Sequence, residues 1–486
     1  MTVSLSSVVK AYDVRGVVPD QLDAGAVRAL GAAFAEVVVL PEVRAGAAAR
    51  AVVGHDMRPS SPELSAAFAD GLASRGVDVV LVGLCSTDGL YFASGSLDVP
   101  GAMFTASHNP ARYNGIKLCR AGARPVGQET GLAAVRDLAQ SWLDAGAVPS
   151  GAGQPGAVTE QDLLAEYAAH LRSLVDLTGA RPLKVVVDAG NGMAGHTVPA
   201  VLGAAAGLPA LPLDVQPLYF ELDGTFPNHE ANPLEPANLR DLQAAVPRAG
   251  ADLGLAFDGD ADRCFVVDEN GDPVSPSAVT ALVARREIAK ERAAGREARV
   301  IHNLITSRAV PEIVAEDGGV PVRTRVGHSF IKQRMAEEGA VFGGEHSAHY
   351  YFREFWSADT GMLAAMHVLA ALAEGELPLS RLAAEYERYV ASGEINSTVD
   401  DAAAVTERVL AAEQDLAAAE GRELVVDRLD GLTVTWPGDD RRPMWWFNLR
   451  ASNTEPLLRL NAEGADGATM TAVRDRVLAV VRGGAR

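Results

Sequence analysis

Three stretches of the chain repeat one pattern, a short apolar run of strand length, then a polar loop, then helical periodicity. This βα signature constrains the fold more than any other feature. In the first, Gly101-Ala102-Met103-Phe104 runs into Thr105-Ala106-Ser107-His108-Asn109-Pro110. In the second, Leu253-Gly254-Leu255-Ala256-Phe257 runs into Asp258-Gly259-Asp260-Ala261-Asp262-Arg263. In the third, Ala340-Val341-Phe342-Gly343 runs into Gly344-Glu345-His346-Ser347-Ala348-His349. Each polar loop falls at the carboxyl end of a strand, where open α/β sheets place their ligands. The last block differs: strand-like runs at 432–436, 445–450 and 457–461 and a helix from about 468 to 481 predict a smaller α+β unit.

At 486 residues the chain exceeds the roughly 250–300 at which single cores stop growing, so three or four domains are expected. The segment 145–157, rich in Gly, Pro, Ser and Ala, reads as a linker, and the turn-rich Asp268-Glu269-Asn270-Gly271-Asp272-Pro273 as a second boundary. A third falls between 375 and 400. The reading is an α/β protein with three similar α/β domains at 1–150, 157–270 and 271–380, then an α+β domain at 390–486.

Composition removes several classes of function. With 48% hydrophobic and 22% charged residues the chain matches ordinary soluble protein, and no run approaches the ~18 apolar residues of a membrane span. Residues 1–10 lack the basic, apolar and small-residue order of a secretory signal, so a cytoplasmic protein is expected. Cys85, Cys119 and Cys264 are too few and too far apart for a disulfide framework or zinc site, and read as buried thiols. A formal charge of −20 argues against nucleic acid, so an anionic ligand would need a local cationic pocket.

The loops carry chemistry of different kinds. Ser107 sits in a turn set by Asn109-Pro110 that can hold its hydroxyl toward a ligand, or satisfy its own backbone. No G-x-S-x-G elbow surrounds it, which argues against a serine hydrolase. Asp258, Asp260 and Asp262 alternate, so an extended loop projects them to one side, as a hard cation such as Mg²⁺ requires. A calcium EF-hand fails because its sixth position, here Arg263, must be Gly; three solvated carboxylates are the plainer alternative. Arg263 either balances those charges or touches phosphate. Arg450, Ser452, Asn453 and Thr454 gather a guanidinium fork, hydroxyls and an amide, suited to a phosphate dianion or to turn capping. Arg15, Lys117 and the Gly327-His328-Ser329 segment are isolated candidates, while Glu345, Ser347 and His349 alternate in a loop suited to sugar hydroxyls.

Together these segments resemble the α-D-phosphohexomutase family, specifically its phosphomannomutase/phosphoglucomutase branch. The resemblance covers nearly the whole chain, with residues 105–110, 258–263, 344–349 and 450–454 in the family's order. It implies four domains around a central cleft, a phosphoryl group resting on Ser107, and Mg²⁺ held by Asp258, Asp260, Asp262 and that phosphoserine. The implied substrate is a hexose phosphate, passing through a hexose 1,6-bisphosphate that also serves as activator. The implied catalytic group is Ser107, His108, Lys117, Arg263 and His328. The implied substrate-binding group is Arg15, Gly327, Glu345, Ser347, His349, Arg450, Ser452, Asn453, Thr454 and Arg459. One departure stands out: His302-Asn303-Leu304-Ile305-Thr306-Ser307 has no basic residue where many relatives carry one, leaving Arg308 or Arg325 to supply it.

Glu345-His346-Ser347-Ala348-His349 looks more like the mannose and glucose enzymes than the glucosamine branch, where Gly precedes the histidine. The expected activity is therefore phosphomannomutase, with phosphoglucomutase or phosphoglucosamine mutase as alternatives within the family. A metal-dependent sugar phosphatase and a non-enzymatic sugar-phosphate-binding protein are the alternatives outside it. A monomer or homodimer without nucleic-acid or membrane partners is expected.

Overall fold

A computed structural model describes residues 4–43, 49–149, 151, 153–440, 442–451 and 457–483. Four sheets follow one another along the chain. The first runs in the order Asp13–Val17, Tyr113–Arg120, Gly101–Phe104, Arg50–His55, Asp78–Leu84, Val158–Glu160. Val158–Glu160 lies past the expected linker yet pairs in parallel with Asp78–Leu84, so the first sheet recruits residues from the expected second domain. The second sheet is built from Pro273–Val274, Cys264–Val267, Leu253–Phe257, Leu183–Asp188 and Leu213–Leu218, and the third from Val320–Thr324, Arg299–Asn303, Phe342–Gly344, Tyr350–Phe352 and Ala358–Asp359.

In all three sheets the loop of interest leaves a strand that is parallel to one neighbour and antiparallel to the next. Gly101–Phe104 is parallel to Arg50–His55 and antiparallel to Tyr113–Arg120. Leu253–Phe257 and Phe342–Gly344 stand in the same relation to Leu183–Asp188 and Cys264–Val267, and to Arg299–Asn303 and Tyr350–Phe352. The repeated pattern predicts helical periodicity after each loop, while Cys264-Phe265-Val266-Val267 taken by itself reads as strand; an antiparallel strand follows in all three. The returning residues, among them Cys264-Phe265-Val266-Val267 and Tyr350-Tyr351-Phe352, are aromatic and β-branched, which favours strand.

The fourth sheet is wholly antiparallel, in the order Val390–Thr398, Leu457–Gly464, Trp445–Ala451, Leu432–Trp436, Val425–Asp427. Helices Ala402–Glu420 and Gly467–Val481 contribute Val405, Val409, Val473 and Val477 to its core. Leu304 and Ile305 of the third domain pack against Met444 and Trp446 of the fourth in a separate apolar cluster. The departure at Ile305 thus has a structural counterpart, an apolar joint between domains.

The helical run Ala24–Glu42 corrects the expectation that nothing in the chain matches a membrane span, because it is long and apolar enough by length and composition. Its Ala-rich face instead packs on Ser61–Ala73, where a Cβ at Gly31 would meet the Phe68 carbonyl at 2.3 Å. Small residues let these helices approach closely and bury a stripe running from Ala26 to Val39.

Candidate active site

The first two loops meet at the boundary between their domains. Ser107 is buried and adopts φ +49°, a left-handed conformation that a non-glycine residue holds only when its surroundings fix it. A Cβ at Gly259 would lie 2.4 Å from the Ser107 carbonyl, so the aspartate loop can approach this closely only with glycine there. The Ser107 hydroxyl donates to Asp258 Oδ2 at 2.8 Å. Arg263 Nε donates to the same oxygen at 2.9 Å, and burial raises the Asp258 carboxyl pKa despite Arg263.

Asp260 and Asp262 share one ammonium. Lys117 Nζ lies 2.7 Å from Asp260 Oδ2 and 2.5 Å from Asp262 Oδ2. Burial opposes the charge on Asp260 and on Lys117, but their attraction outweighs it, lowering the first pKa and raising the second. Lys117 therefore keeps its proton. Oxygens of Asp258, Asp260 and Asp262 lie within 4.8 Å of one another, and Asp260 Oδ1 and Asp262 Oδ1 are buried without hydrogen-bond partners among the described residues. An all-oxygen cluster with two unsatisfied carboxylate oxygens fits a hard divalent cation. It does not fit a calcium EF-hand, since Cys264–Val267 continues as strand.

His108 closes this cluster. Its Nδ1 stands 2.5 Å from Arg263 Nη2 and 3.2 Å from Ser107 Oγ. Burial, with Arg263 beside it, pushes the imidazole down to about 2, so His108 is neutral and its Nδ1 accepts from Arg263. Arg15 Nη1 donates to Asn109 Oδ1 at 2.6 Å and Nη2 to Asp13 Oδ2 at 2.6 Å, placing a second guanidinium beside the serine loop.

The third loop joins from the other side. His349 Nε2 is 3.8 Å from Asp262 Oδ1, and Arg263 and His349 form an isolated antiparallel bridge. Ser347 Oγ lies 3.1 Å from His349 Nδ1. Glu345 is buried; its Oε1 accepts from Asn303 Nδ2 and the Gly327 N–H, and its Oε2 from Tyr351. Glu345 thereby fixes the Gly327 turn as well as its own loop. His328 opens the helix that follows, and its side chain lies outside the described residues.

The fourth domain brings Arg450 and Arg459, which are cross-strand partners, to the cleft. The positive charge of Arg450 acts on His346, which burial first and then Arg450 push down to about 3, and on Tyr12 of the first domain. Ser452, Asn453 and Thr454 lie outside the described residues. Of the two suggested substitutes for the missing basic residue, Arg308 is tied to Glu312, while Arg325 stacks over Phe330 at 4.7 Å.

Sequence reasoning missed Arg58, whose side chain is fully buried. It donates to the carbonyls of Ser107 (2.9 Å), Asn109 (2.6 Å), Pro110 (3.0 Å) and Tyr113 (2.9 Å), and to Asp56 Oδ2 (3.2 Å). The Phe226 ring of the second domain covers it at 5.2 Å. Thr87 was missed too: its hydroxyl donates to Asp260 Oδ2 at 2.6 Å and its N–H to the Asp260 carbonyl at 3.0 Å. A signal existed for both. Asp56-Met57-Arg58 and Ser86-Thr87-Asp88 follow closely on the apolar strands Arg50–His55 and Asp78–Leu84, repeating the strand-then-polar-loop pattern.

Models of phosphoglucomutase/phosphomannomutase alpha/beta/alpha domains I, II and III match residues 6–142, 165–271 and 275–389, and the model of the C-terminal domain matches 394–480. A protein described as "Phosphohexose mutases" from Xanthomonas campestris pv. campestris is 40% identical over 467 residues, covering 96% of each chain. A phosphomannomutase from Escherichia coli is 38% identical over 479 residues, covering 97% of this chain and 98% of its own. The crystal structure of a phosphoglucomutase/phosphomannomutase family protein from Burkholderia thailandensis superposes with a TM-score of 0.82 at 31% identity, covering 99% and 98% of the two chains.

Proposed function

The chain belongs to the phosphoglucomutase/phosphomannomutase family of isomerases, and on that premise we propose that it interconverts mannose 6-phosphate and mannose 1-phosphate, with glucose phosphates as further substrates. The observation that carries the reading is the Ser107 hydroxyl, held 2.8 Å from an aspartate of a triad with two unsatisfied buried oxygens. A serine so placed can carry a phosphoryl group beside a cation.

In the first half-reaction a sugar hydroxyl oxygen bonds to phosphorus as the bond from phosphorus to Ser107 Oγ breaks. The proton lost by the sugar hydroxyl is matched by one gained at the departing Ser107 Oγ, so the serine is left as a free hydroxyl and a hexose 1,6-bisphosphate results. The bisphosphate turns around and the second half-reaction returns its other phosphoryl group to Ser107. Asp258, Asp260 and Asp262 would hold Mg²⁺, which neutralises charge on the moving group. Arg263 and Lys117 add fixed positive charge there, and Lys117, held protonated between Asp260 and Asp262, acts as a charge rather than as a base. Arg15 sits beside the serine loop to meet phosphate, while Ser347 and His349, with Glu345 and Gly327 behind them, would orient sugar hydroxyls. Arg450 and Arg459, with Ser452, Asn453 and Thr454, would grip the phosphate that is not being transferred.

The test is incubation with mannose 1-phosphate, Mg²⁺ and a trace of hexose 1,6-bisphosphate. Mannose 6-phosphate is expected. Free phosphate would indicate a phosphatase and unchanged sugar a binding protein. Peptide mapping of active enzyme should place phosphate on Ser107, and Ser107→Ala should abolish turnover while retaining substrate binding.

A further inference from the structure

Arg450 and Arg459 have balanced charge but unspent hydrogen-bonding capacity. They face each other across Trp445–Ala451 and Leu457–Gly464, where directly opposed like charges repel. Glu394, on Val390–Thr398, pairs in register with Asn461 and so lies diagonal to Arg459 on the same face. Its carboxylate spans both arginines, with Oε1 3.5 Å from Arg459 Nη1 and Oε2 3.8 Å from Arg450 Nη2. Asp430 Oδ2 stands 3.7 Å from Arg450 Nη1 and accepts from the Val326 N–H at 3.1 Å.

These ion pairs are long, and none makes a hydrogen bond. Elsewhere the same chain closes such pairs fully: Arg388 meets Glu316 through two bonds of 2.6 Å, and Arg476 meets Glu413 at 2.7 and 2.9 Å. In addition, Arg450 Nε and Arg459 Nε are buried without a hydrogen-bond partner among the described residues. Among the described residues two guanidinium charges stand against two carboxylates, while the two Nε–H donors have no partner.

We propose that Glu394 is a counter-charge that loosens the phosphate grip, so that the bisphosphate can let go and turn around within each catalytic cycle. The proposal rests on the reading of Arg450 and Arg459 as the phosphate site. A dianion that must leave and rebind by its other end gains nothing from two uncompensated guanidinium groups, because tighter binding of the intermediate lowers turnover. With Glu394 in place, recognition comes from the fork geometry of the arginines rather than from net positive charge. Asp430 adds to the balance and connects Arg450 to the backbone just before Gly327.

The sign of one measurement decides the matter. Calorimetric titration of mannose 1-phosphate into the Ser107→Ala protein, where no transfer follows, is compared with the same protein carrying Glu394→Gln. Loss of a screened, partly exposed counter-charge should lower Kd about tenfold. With Ser107 intact, Glu394→Gln should lower KM and kcat together and slow the release of labelled hexose 1,6-bisphosphate. If Glu394 merely orients the two arginines, its loss weakens binding, and weaker or unchanged binding overturns the proposal. Glu394→Ala should tighten binding in the same sense and serves if the glutamine variant fails to fold. Arg459→Gln separates the underlying reading: unchanged Kd there would remove the phosphate site, and the proposal with it, whatever Glu394 does.

Discussion

Arg58 Nη2 donates to the Ser107 carbonyl at 2.9 Å, so the backbone at Ser107 is held by a side chain 49 residues away in sequence. Lysine can supply charge at this site but not a planar fork that reaches four carbonyls. Arg58→Lys should lower kcat by about 100-fold, as expected for a misplacement near 1 Å, with KM little changed. Arg58→Met strands the buried Asp56 carboxylate and should cost about 3–5 kcal/mol in urea unfolding.

The aspartate triad predicts a metal requirement with a kinetic signature. Asp258→Asn, Asp260→Asn and Asp262→Asn should each lower kcat far more than they raise KM, since the cation they would hold acts on charge that develops during transfer. Calcium should bind and support little turnover, being larger and less strict in geometry. Full activity in the presence of a strong chelator would refute the assignment.

Asp88 gives stability a defined pH dependence. It is buried where the first and third domains meet, accepting from Ser86, Tyr167 and Thr360, and burial pushes its carboxyl from 3.8 up to about 6. Because the folded pKa is the higher one, the folded state holds the proton more tightly between these values, and stability falls as pH rises through about 4 to 6. Asp88→Asn removes that slope. The stability of wild type relative to Asp88→Asn should drop by about 3 kcal/mol across the window. Unfolding curves of both proteins at pH 4, 5, 6 and 7 would show it, and parallel curves would contradict it.

Sugar discrimination should be modest. Glu345 already accepts three hydrogen bonds from the protein, leaving little capacity for one distinguishing hydroxyl, and a bisphosphate that binds either way round limits close reading of C2. Mannose 1-phosphate should be preferred over glucose 1-phosphate by about 10- to 200-fold in kcat/KM. A ratio above about 10⁴ would reveal a dedicated C2 contact.

The loops at 105–110, 258–263 and 344–349 were legible because each concentrates polar residues of one chemistry after an apolar strand, a local signal; residues 452–454 of the loop at 450–454 lie outside the described residues. The sequence did not reveal the pairing of those loops with Arg58, Thr87 and Lys117. These partnerships form across 49, 173 and 143 residues and leave no periodicity behind. Cys264–Val267 reads as strand and is one, but the returning strands of the first and third sheets were hidden under helical periodicity because short runs such as Tyr350–Phe352 carry too few residues to establish a period. Nor did the pattern show that Lys332, paired with Asp359 at 2.7 Å, would lie over the ring of Tyr91 from the first domain.

The apolar joint of Leu304, Ile305, Met444 and Trp446 also makes the enzyme's shape sensitive to temperature. Hydrophobic attraction weakens on cooling, whereas the neighbouring ion pair of Arg323 with Asp427 does not depend on it. In the cold the last domain is retained increasingly by its polar contacts. Cooling therefore weakens this joint while leaving the Arg58 and Thr87 hydrogen bonds to the serine and aspartate loops in place.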